Sequence, residues 1–211
     1  MARLPHGGKE VRKISRANIE GMVVVASSLD HFLENNGNPE DLFSHNAQLL
    51  KAGDSIRNAL VQLSNAEMKV NPEEIFVKEF RSKNTLHALK PRFSRHRAQI
   101  AWQISWHLLD GGIPVPEPEG YLLTKSGPFY RKGYFFSKAL SDCNSLATLA
   151  WTSRELSTRL DSGGLVEALA RGIAALHDCG VTHGDLKWSN ILVHEKDNRF
   201  WFVDLDSAKL H

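Results

Sequence analysis

The 211-residue sequence predicts an α+β fold in two parts: a β-rich part with one long helix up to about residue 138, and a mainly helical part after it. Three observations carry this reading. Short runs of β-branched and aromatic residues recur between turn signals from Met22 to Phe136. One helical pattern, Ser94 to Asp110, interrupts them. Beyond Leu140 the apolar period becomes helical. The boundary is expected at Ser137-Lys138-Ala139-Leu140, giving a 1–50 extension, a 51–138 β-rich part and a 139–211 helical part.

Taken in order, residues 1 to about 20 read as weakly structured, and Met22-Val23-Val24-Val25-Ala26 as a short strand. Pro39-Glu40-Asp41, with proline near the start and acids in the first turn, predicts a helix to about Leu50. Ile56 to Leu63 and Glu74 to Phe80 are strand-like, which puts Lys78 inside an apolar-flanked strand. Ser94 suits an N-cap, Ile100, Ile104 and Leu108 repeat on one face, and Gly111-Gly112 ends that helix. Ile113-Pro114-Val115-Pro116-Glu117-Pro118 must run extended, since proline bars helix there. Strands follow at Gly120–Thr124 and Tyr130–Phe136, then helices at Ser145–Leu160 and Leu165–His177. Two short strands, Ile191–Val193 and Phe200–Val203, close the chain.

Composition is ordinary, with 42% apolar and 24% charged residues, which excludes collagen-like and largely disordered chains. No run approaches the roughly 18 apolar residues of a membrane span, and the polar, basic first thirteen residues predict no secretory signal. Cys143 and Cys179 lie 36 positions apart without a CxxC, which fits neither a disulfide framework nor a zinc site. A reduced, cytoplasmic protein is expected. The net charge is +2, yet Lys78 to Arg97 alone carries seven Lys/Arg against one acid. That stripe predicts a local anionic partner rather than general nucleic-acid binding; its competitor is a solvated basic face. Arg95, His96 and Arg97 occupy a first helical turn, where the dipole disfavours each cation by about 0.3–1 kcal/mol. With Arg92 and the free amides, they suggest an anion at the helix start. Trp102, Trp106, Trp151 and Trp201 sit in apolar-periodic segments and are expected in the core.

Chemistry concentrates in His183-Gly184-Asp185-Leu186-Lys187-Trp188-Ser189-Asn190, followed by an apolar strand, a second strand and Asp204. Phosphoryl transfer needs a carboxylate near the acceptor hydroxyl, a cation over the transferring phosphate, and hard oxygen ligands for magnesium. Asp185 can serve as base or hydroxyl orienter, Lys187 as the cation, and Asn190 with Asp204 as the oxygen ligands. Asp204 is preferred to Asp206 because it directly ends the apolar run Phe200–Val203. His183 is expected to brace the loop.

At these residues the chain resembles the protein-kinase-like superfamily, through the H-x-D-L-K-x-x-N spacing and Asp204. Lys78 in Ile-Phe-Val-Lys matches the strand lysine that holds the α- and β-phosphates. Within the superfamily the chain is most similar to bacterial lipopolysaccharide kinases acting on Kdo or heptose. That likeness rests on Phe76-Val77-Lys78-Glu79-Phe80-Arg81, on Ser94-Arg95 opening a Trp102-containing helix, on Gly112-Ile113-Pro114-Val115-Pro116-Glu117-Pro118, and on Val203-Asp204-Leu205-Asp206. It spans about Leu50 to Leu210.

The resemblance implies a two-lobed fold binding ATP and Mg2+, with a β-rich N-lobe and a reduced or truncated, mainly helical C-lobe. Adenine would meet backbone groups near Phe136-Ser137-Lys138. The γ-phosphate would pass to a hydroxyl of an inner-core sugar, an anionic glycolipid acceptor at the cytosolic face of the inner membrane. Arg92, Arg95 and Arg97 are the residues expected to hold that acceptor, and no nucleic acid is expected. Besides the reduced or truncated C-lobe, the sequence departs from the superfamily pattern in two places. No acid lies between Glu79 and Asp110, so Gln103, less readily Gln99, must replace the helix glutamate opposite Lys78. Asp54 to Leu63 contains no glycine, so ordinary amides must cover the phosphates. Another small-molecule or protein kinase of the superfamily, or an inactive relative that only binds, are the rival readings.

Overall fold

The computed structural model describes residues 8–35, 37–43, 47–63, 73–81, 96–127, 129–152 and 164–211. Seven strands, β1 (Val11–Arg16), β2 (Ile19–Val24), β3 (Ala47–Ala52), β4 (Ile56–Leu63), β5 (Glu73–Arg81), β6 (Pro118–Ser126) and β7 (Phe129–Lys138), form one antiparallel sheet. Their order is β1-β2-β6-β7-β5-β4-β3. Period-two alternation sets its faces. Ala59, Val61 and Leu63 of β4 are buried, and the first two lie opposite Val77 and Ile75 of β5. These pairs join Leu29 and Leu33 of a short helix, α1 (Ser28–Glu34), in the main core of the sheet. The other face buries Phe80, Leu123 and Ala98, the last from α2 (Arg97–Asp110).

By its internal contacts the chain divides into two units, Met1–Trp102 with Glu117–Ala139, and Gln103–Pro116 with Leu140–His211. In the second unit, α2 ends as the sequence predicts. Gly112 takes φ +73°, and the Ile113 and Gly112 amides return to the Leu108 and Leu109 carbonyls at 2.8 and 2.9 Å. Helices α3 (Leu146–Thr152) and α4 (Gly164–Asp178) accompany a three-stranded sheet, with β10 (Ile191–His194) between β11 (Phe200–Phe202) and β8 (Cys143–Ser145). At Gly172 of α4 a Cβ would lie 2.5 Å from the Phe200 ring, so the glycine permits helix and strand to approach. Finally β9 (Val181–Thr182) pairs with β12 (Lys209–Leu210).

Three expectations are corrected. Residues 11–16 are not weakly structured but form edge strand β1, whose Arg12, Lys13 and Arg16 are the charges an edge strand carries. The strand expected at Met22–Ala26 starts earlier and stops at Val24, because Ala26 turns to φ +59° ahead of α1. The helix expected from Pro39 to Leu50 is only a 3-10 turn, Asp41–Phe43, followed by β3. Leu49 and Leu50 are about half-exposed, so no apolar face held a helix there, and ladder bonds to β4 took the backbone instead. The helix from Ser145 is described only as Leu146–Thr152; its expected continuation to Leu160 lies outside the described residues. Trp102 and Trp106 are buried as expected.

Candidate active site

The second unit holds the loop between β9 and β10, and main-chain geometry fixes it. At Gly184, φ is +80° and a Cβ would sit 2.4 Å from the Ser207 carbonyl oxygen, so only glycine fits. His183 is buried, and its Nε2 lies 3.0 Å from the Val203 carbonyl. Its Nδ1 faces the Asp185 amide at 3.4 Å. Nδ1 must accept there, so Nε2 carries the proton and donates to Val203. Burial lowers the His183 pKa, opposed by that hydrogen bond, and a neutral ring suits the two contacts. The imidazole thus ties the loop to the end of β11, one residue before Asp204.

Asp185 projects beside Lys187, with Nζ to Oδ2 at 2.6 Å and both side chains about half-exposed. The lysine's hydrogen bond holds the carboxyl below its ordinary range, and the carboxylate raises the lysine in turn. Both groups are therefore charged at neutral pH. The buried Asn190 closes a 3-10 turn, Trp188–Asn190, and its Nδ2 donates to the Asp185 carbonyl at 2.9 Å and to Asp185 Oδ2 at 3.1 Å. A carbonyl can only accept, so the amide orientation is determined. Asn190 Oδ1 is left as an acceptor and an oxygen available to a metal, with Ser189 Oγ donating to it at 3.5 Å. The Val203 amide donates to the Asn190 carbonyl at 3.0 Å, which sets Asp204 next to the turn. Asp204 itself is left-handed, φ +69° and ψ +48°, half-buried, and its charge reaches His183, Asp185 and Lys187. A non-glycine residue there costs about 1–2 kcal/mol and is a strain of the kind found at functional sites. The strand does not continue past Phe202: Leu205–Ser207 form a 3-10 turn, and Asp206 is buried within it.

In the first unit, Lys78 lies on β5 opposite Asn58 and Phe135, buried, with Nζ 5.1 Å from the Phe80 ring centroid. Phe136 and Ser137 are buried on β7 and Lys138 is exposed. The Lys138 amide donates to the Glu117 carbonyl at 2.9 Å and the Ala139 amide to Glu74 at 3.1 Å. The Lys138 amide of the expected adenine segment, and the Ala139 amide just after it, are therefore already committed to main-chain carbonyls. Gln103 is exposed on α2. Arg97 is also exposed, its guanidinium 4.9 Å from the Phe80 centroid; Arg92 and Arg95 lie outside the described residues.

A model of the Lipopolysaccharide kinase (Kdo/WaaP) family matches residues 46–211. The chain belongs to that family. Among relatives, a 3-deoxy-D-manno-octulosonic acid kinase of Vibrio parahaemolyticus serotype O3:K6 is 28% identical over 113 residues, 54% of this chain and 44% of the relative. The enzyme of the same name from Vibrio vulnificus strain CMCP6 is 26% identical over 116 residues, 55% and 46% of the two chains. The matches thus span about half the length of these curated relatives. Among solved structures, WaaP in complex with acyl carrier protein superposes with a TM-score of 0.59 at 22% identity, over 85% of this chain and 69% of that one. The Cydia pomonella granulovirus kinase PK-1 gives 0.53 at 13%, over 78% and 55%. The fold is accordingly kinase-like, a mixed α+β structure with a large antiparallel sheet.

The donor set of this family member suits magnesium. Among the described residues no three His, Cys, Asp or Glu side chains gather as a metal site. Magnesium, however, takes one or two protein oxygens and draws the rest from phosphates and water. Asn190 Oδ1 and the Asp204 carboxylate would supply such a pair, since Asp204 follows Val203, whose amide donates to the Asn190 carbonyl.

Three contributions were not visible in the sequence. The β3–β4 hairpin that precedes the Lys78 strand turns at Gly53, whose amide meets the Ile56 carbonyl at 2.9 Å. That glycine lies one residue before the 54–63 stretch in which none was found. Glu79 is fully buried, with Arg57 at 2.8 Å and Arg81 at 2.9 Å. Burial pushes its carboxyl up, but the two guanidinium groups outweigh that and hold it below the usual range. Finally, α2 is capped by itself. The Ala98 amide donates to His96 Nδ1 at 3.2 Å and the His96 amide to Gln99 Oε1 at 3.0 Å. An anion at this helix start would find those two amides occupied and would have to rely on guanidinium groups.

Proposed function

We propose that this chain is an ATP- and Mg2+-dependent phosphotransferase that phosphorylates a hydroxyl of an inner-core lipopolysaccharide sugar, Kdo or heptose. The observation that carries this reading is the joined set Asp185, Lys187, Asn190 and Asp204, held by His183 inside the segment that matches the family. Asp185, kept ionised, accepts the acceptor's hydroxyl hydrogen bond and aims its oxygen at the γ-phosphorus. The new P–O bond forms as the bond to the β-phosphate oxygen breaks; ADP leaves, and the hydroxyl proton passes to Asp185 and on to solvent. A depressed pKa suits orientation better than early proton removal, which matches the loose transition state of phosphoryl transfer. Lys187 offers its ammonium to the transferring oxygens, and Lys78 to the α- and β-phosphates. Asn190 and Asp204 hold magnesium, which when bound neutralises phosphate charge.

Phe136, Ser137 and Lys138 border the adenine, with main-chain donors taken from beyond Ala139. Gln103 stands in for the helix glutamate opposite Lys78. Arg97, with Arg92 and Arg95, grips the acceptor through guanidinium contacts, and the protein works in the cytoplasm, at the inner face of the membrane that carries the glycolipid. No helix among the described residues is long and apolar enough to cross a membrane.

The test is transfer of labelled γ-phosphate to deep-rough lipopolysaccharide, and separately to a generic protein acceptor, beside a thermal shift with ATP and magnesium. Label in the glycolipid that disappears in Asp185→Ala, with ATP binding kept within a few-fold, supports the reading. Label in protein alone assigns another kinase of the superfamily. A thermal shift without transfer to either acceptor assigns a binding-only relative.

A further inference from the structure

We propose that a cavity in the first unit, beside Glu119, is a binding site for a small organic cation bearing a primary ammonium. The cavity measures about 260 Å³ and includes Lys9, Glu10, Glu73, Glu117, Glu119 and Lys138 in its lining. Glu119 is 2% exposed, and among the described residues neither of its carboxyl oxygens has a hydrogen-bond partner. The Leu29 amide opposes the charge penalty without reaching hydrogen-bond geometry. Unpaired buried carboxyl groups are costly and call for a partner.

Sheet irregularity puts the residue there. The β6–β7 register slips between Pro118 and Gly120, so Glu119 sits at a bulge, a device that re-aims a side chain.

The charges of the lining select the sign of the ligand. Lys9 pairs with Glu117, and Lys138 lies 3.5 Å from Glu73. Each ammonium is thus already matched by a carboxylate, and among the described residues Glu119 at depth and Glu10 at the exposed rim remain in excess. Burial and then Glu73, opposed in part by Lys138, push the Glu119 pKa up to about 7, so an ammonium ligand would ionise it.

Size argues against a bare ion. The volume is many times the roughly 30 Å³ share of one water, and no three acidic or imidazole side chains among the described residues converge as metal ligands. A short alkylammonium fills such a space and hydrogen-bonds a carboxylate at one end. Nothing in this inference depends on the kinase reading.

Putrescine titrated into the purified chain at pH 8 by isothermal calorimetry is the test, with Glu119→Gln and the neutral isostere 1,4-butanediol as comparisons. Expected are saturable binding by the parent chain, at least tenfold weaker binding by Glu119→Gln, and none of butanediol. Circular dichroism verifies that the near-isosteric variant is folded. A carboxyl 13C titration should show the Glu119 pKa falling below 7 when putrescine is present. The absence of saturable binding, equal binding by Glu119→Gln, equal binding of butanediol, or an unmoved Glu119 titration would each overturn the proposal.

Discussion

His96 should make the stability of the β-rich unit depend on pH. Its Nδ1 accepts the Ala98 amide, and its ring meets Phe80 and Tyr130 edge-on at 6.0 and 6.4 Å between centroids. There is no slack behind it, since a Cβ at Gly133 would lie 2.1 Å from the ring. Burial first, and Arg97 second, lower its pKa from 6.5 to about 4. Protonation would occupy Nδ1 and break the cap. The unfolded chain takes this proton at the ordinary value, so between about 6.5 and 4 the unfolded state binds more protons. The contribution is therefore complete above 6.5 and is lost as pH falls toward 4.

At about 1.4 kcal/mol per pH unit the interval is worth about 3 kcal/mol at most, and about 2 after allowing for the ring's partial contact with water. For a chain of this size that is about 4–8 °C in Tm. His96→Asn keeps a side-chain acceptor for the cap, does not titrate, and forfeits the ring contacts, about 0.5–1.5 kcal/mol for each aromatic pair. Thermal melts of parent and variant from pH 7.5 to 4.5 isolate the effect, because every other titration is common to both. The parent's advantage should shrink by about 2 kcal/mol toward acid. A constant difference across the series, or an NMR titration of His96 near 6.5, would refute the reasoning.

Three further outcomes are expected. Asn190→Asp replaces the donor to the Asp185 carbonyl and carboxylate by an anion, so transfer should fall further than in Asn190→Ala; equal or better turnover would make Asn190 a metal ligand only. Asp204→Ala should weaken magnesium-dependent ATP binding by at least about tenfold, whereas Asp206→Ala should mainly lower Tm, because Asp206 is buried in the 3-10 turn; the reverse ranking in a nucleotide titration would exchange their roles. Gly184→Ala, forced to φ +80° against the Ser207 carbonyl, should lose about 2 kcal/mol or more and about 4–8 °C of Tm, and an unshifted melt would show that the loop is not pinned there.

What could be read from the sequence differs between the two units for a physical reason. Strands β4, β5 and β7 announce themselves because they bury β-branched or aromatic residues two apart from other buried residues, such as Val61, Ile75 with Val77, and Tyr134 with Phe136, and β6 through its buried Leu122-Leu123 between turn signals. Edge strands β1 and β3 do not: one carries three cations, and the other exposes both of its leucines. Their structure comes from partner strands, which no local pattern records. Helix α1 was announced and overlooked. Ser27 accepts the Asp30 amide at 3.1 Å, a serine-to-acid spacing of three that marks a helix start, but seven residues are too few to show a period. Pro39-Glu40-Asp41 shows the converse, a start signal with no apolar face behind it to hold a helix.

The candidate site residues were legible because the loop is local. Asp185, Lys187 and Asn190 fall within six positions, and their contacts run along the chain. What the spacing could not convey is how the loop is held. His183 reaches a carbonyl 20 residues away, Gly184 abuts the Ser207 carbonyl, and β9 and β12 join the chain before the loop to the chain after Asp204. Each of these is a main-chain contact, so it leaves no signature in the partner's side chain. Glu119 is the extreme case: as a letter it is one glutamate among several, and its isolation exists only where a bulge of β6 meets the residues before β1 and the segment that leads into α1. A motif records which residue types fall close in the chain; the strain at Asp204, the neutral imidazole of His183 and, in the first unit, the isolated carboxyl of Glu119 arise only when distant segments meet.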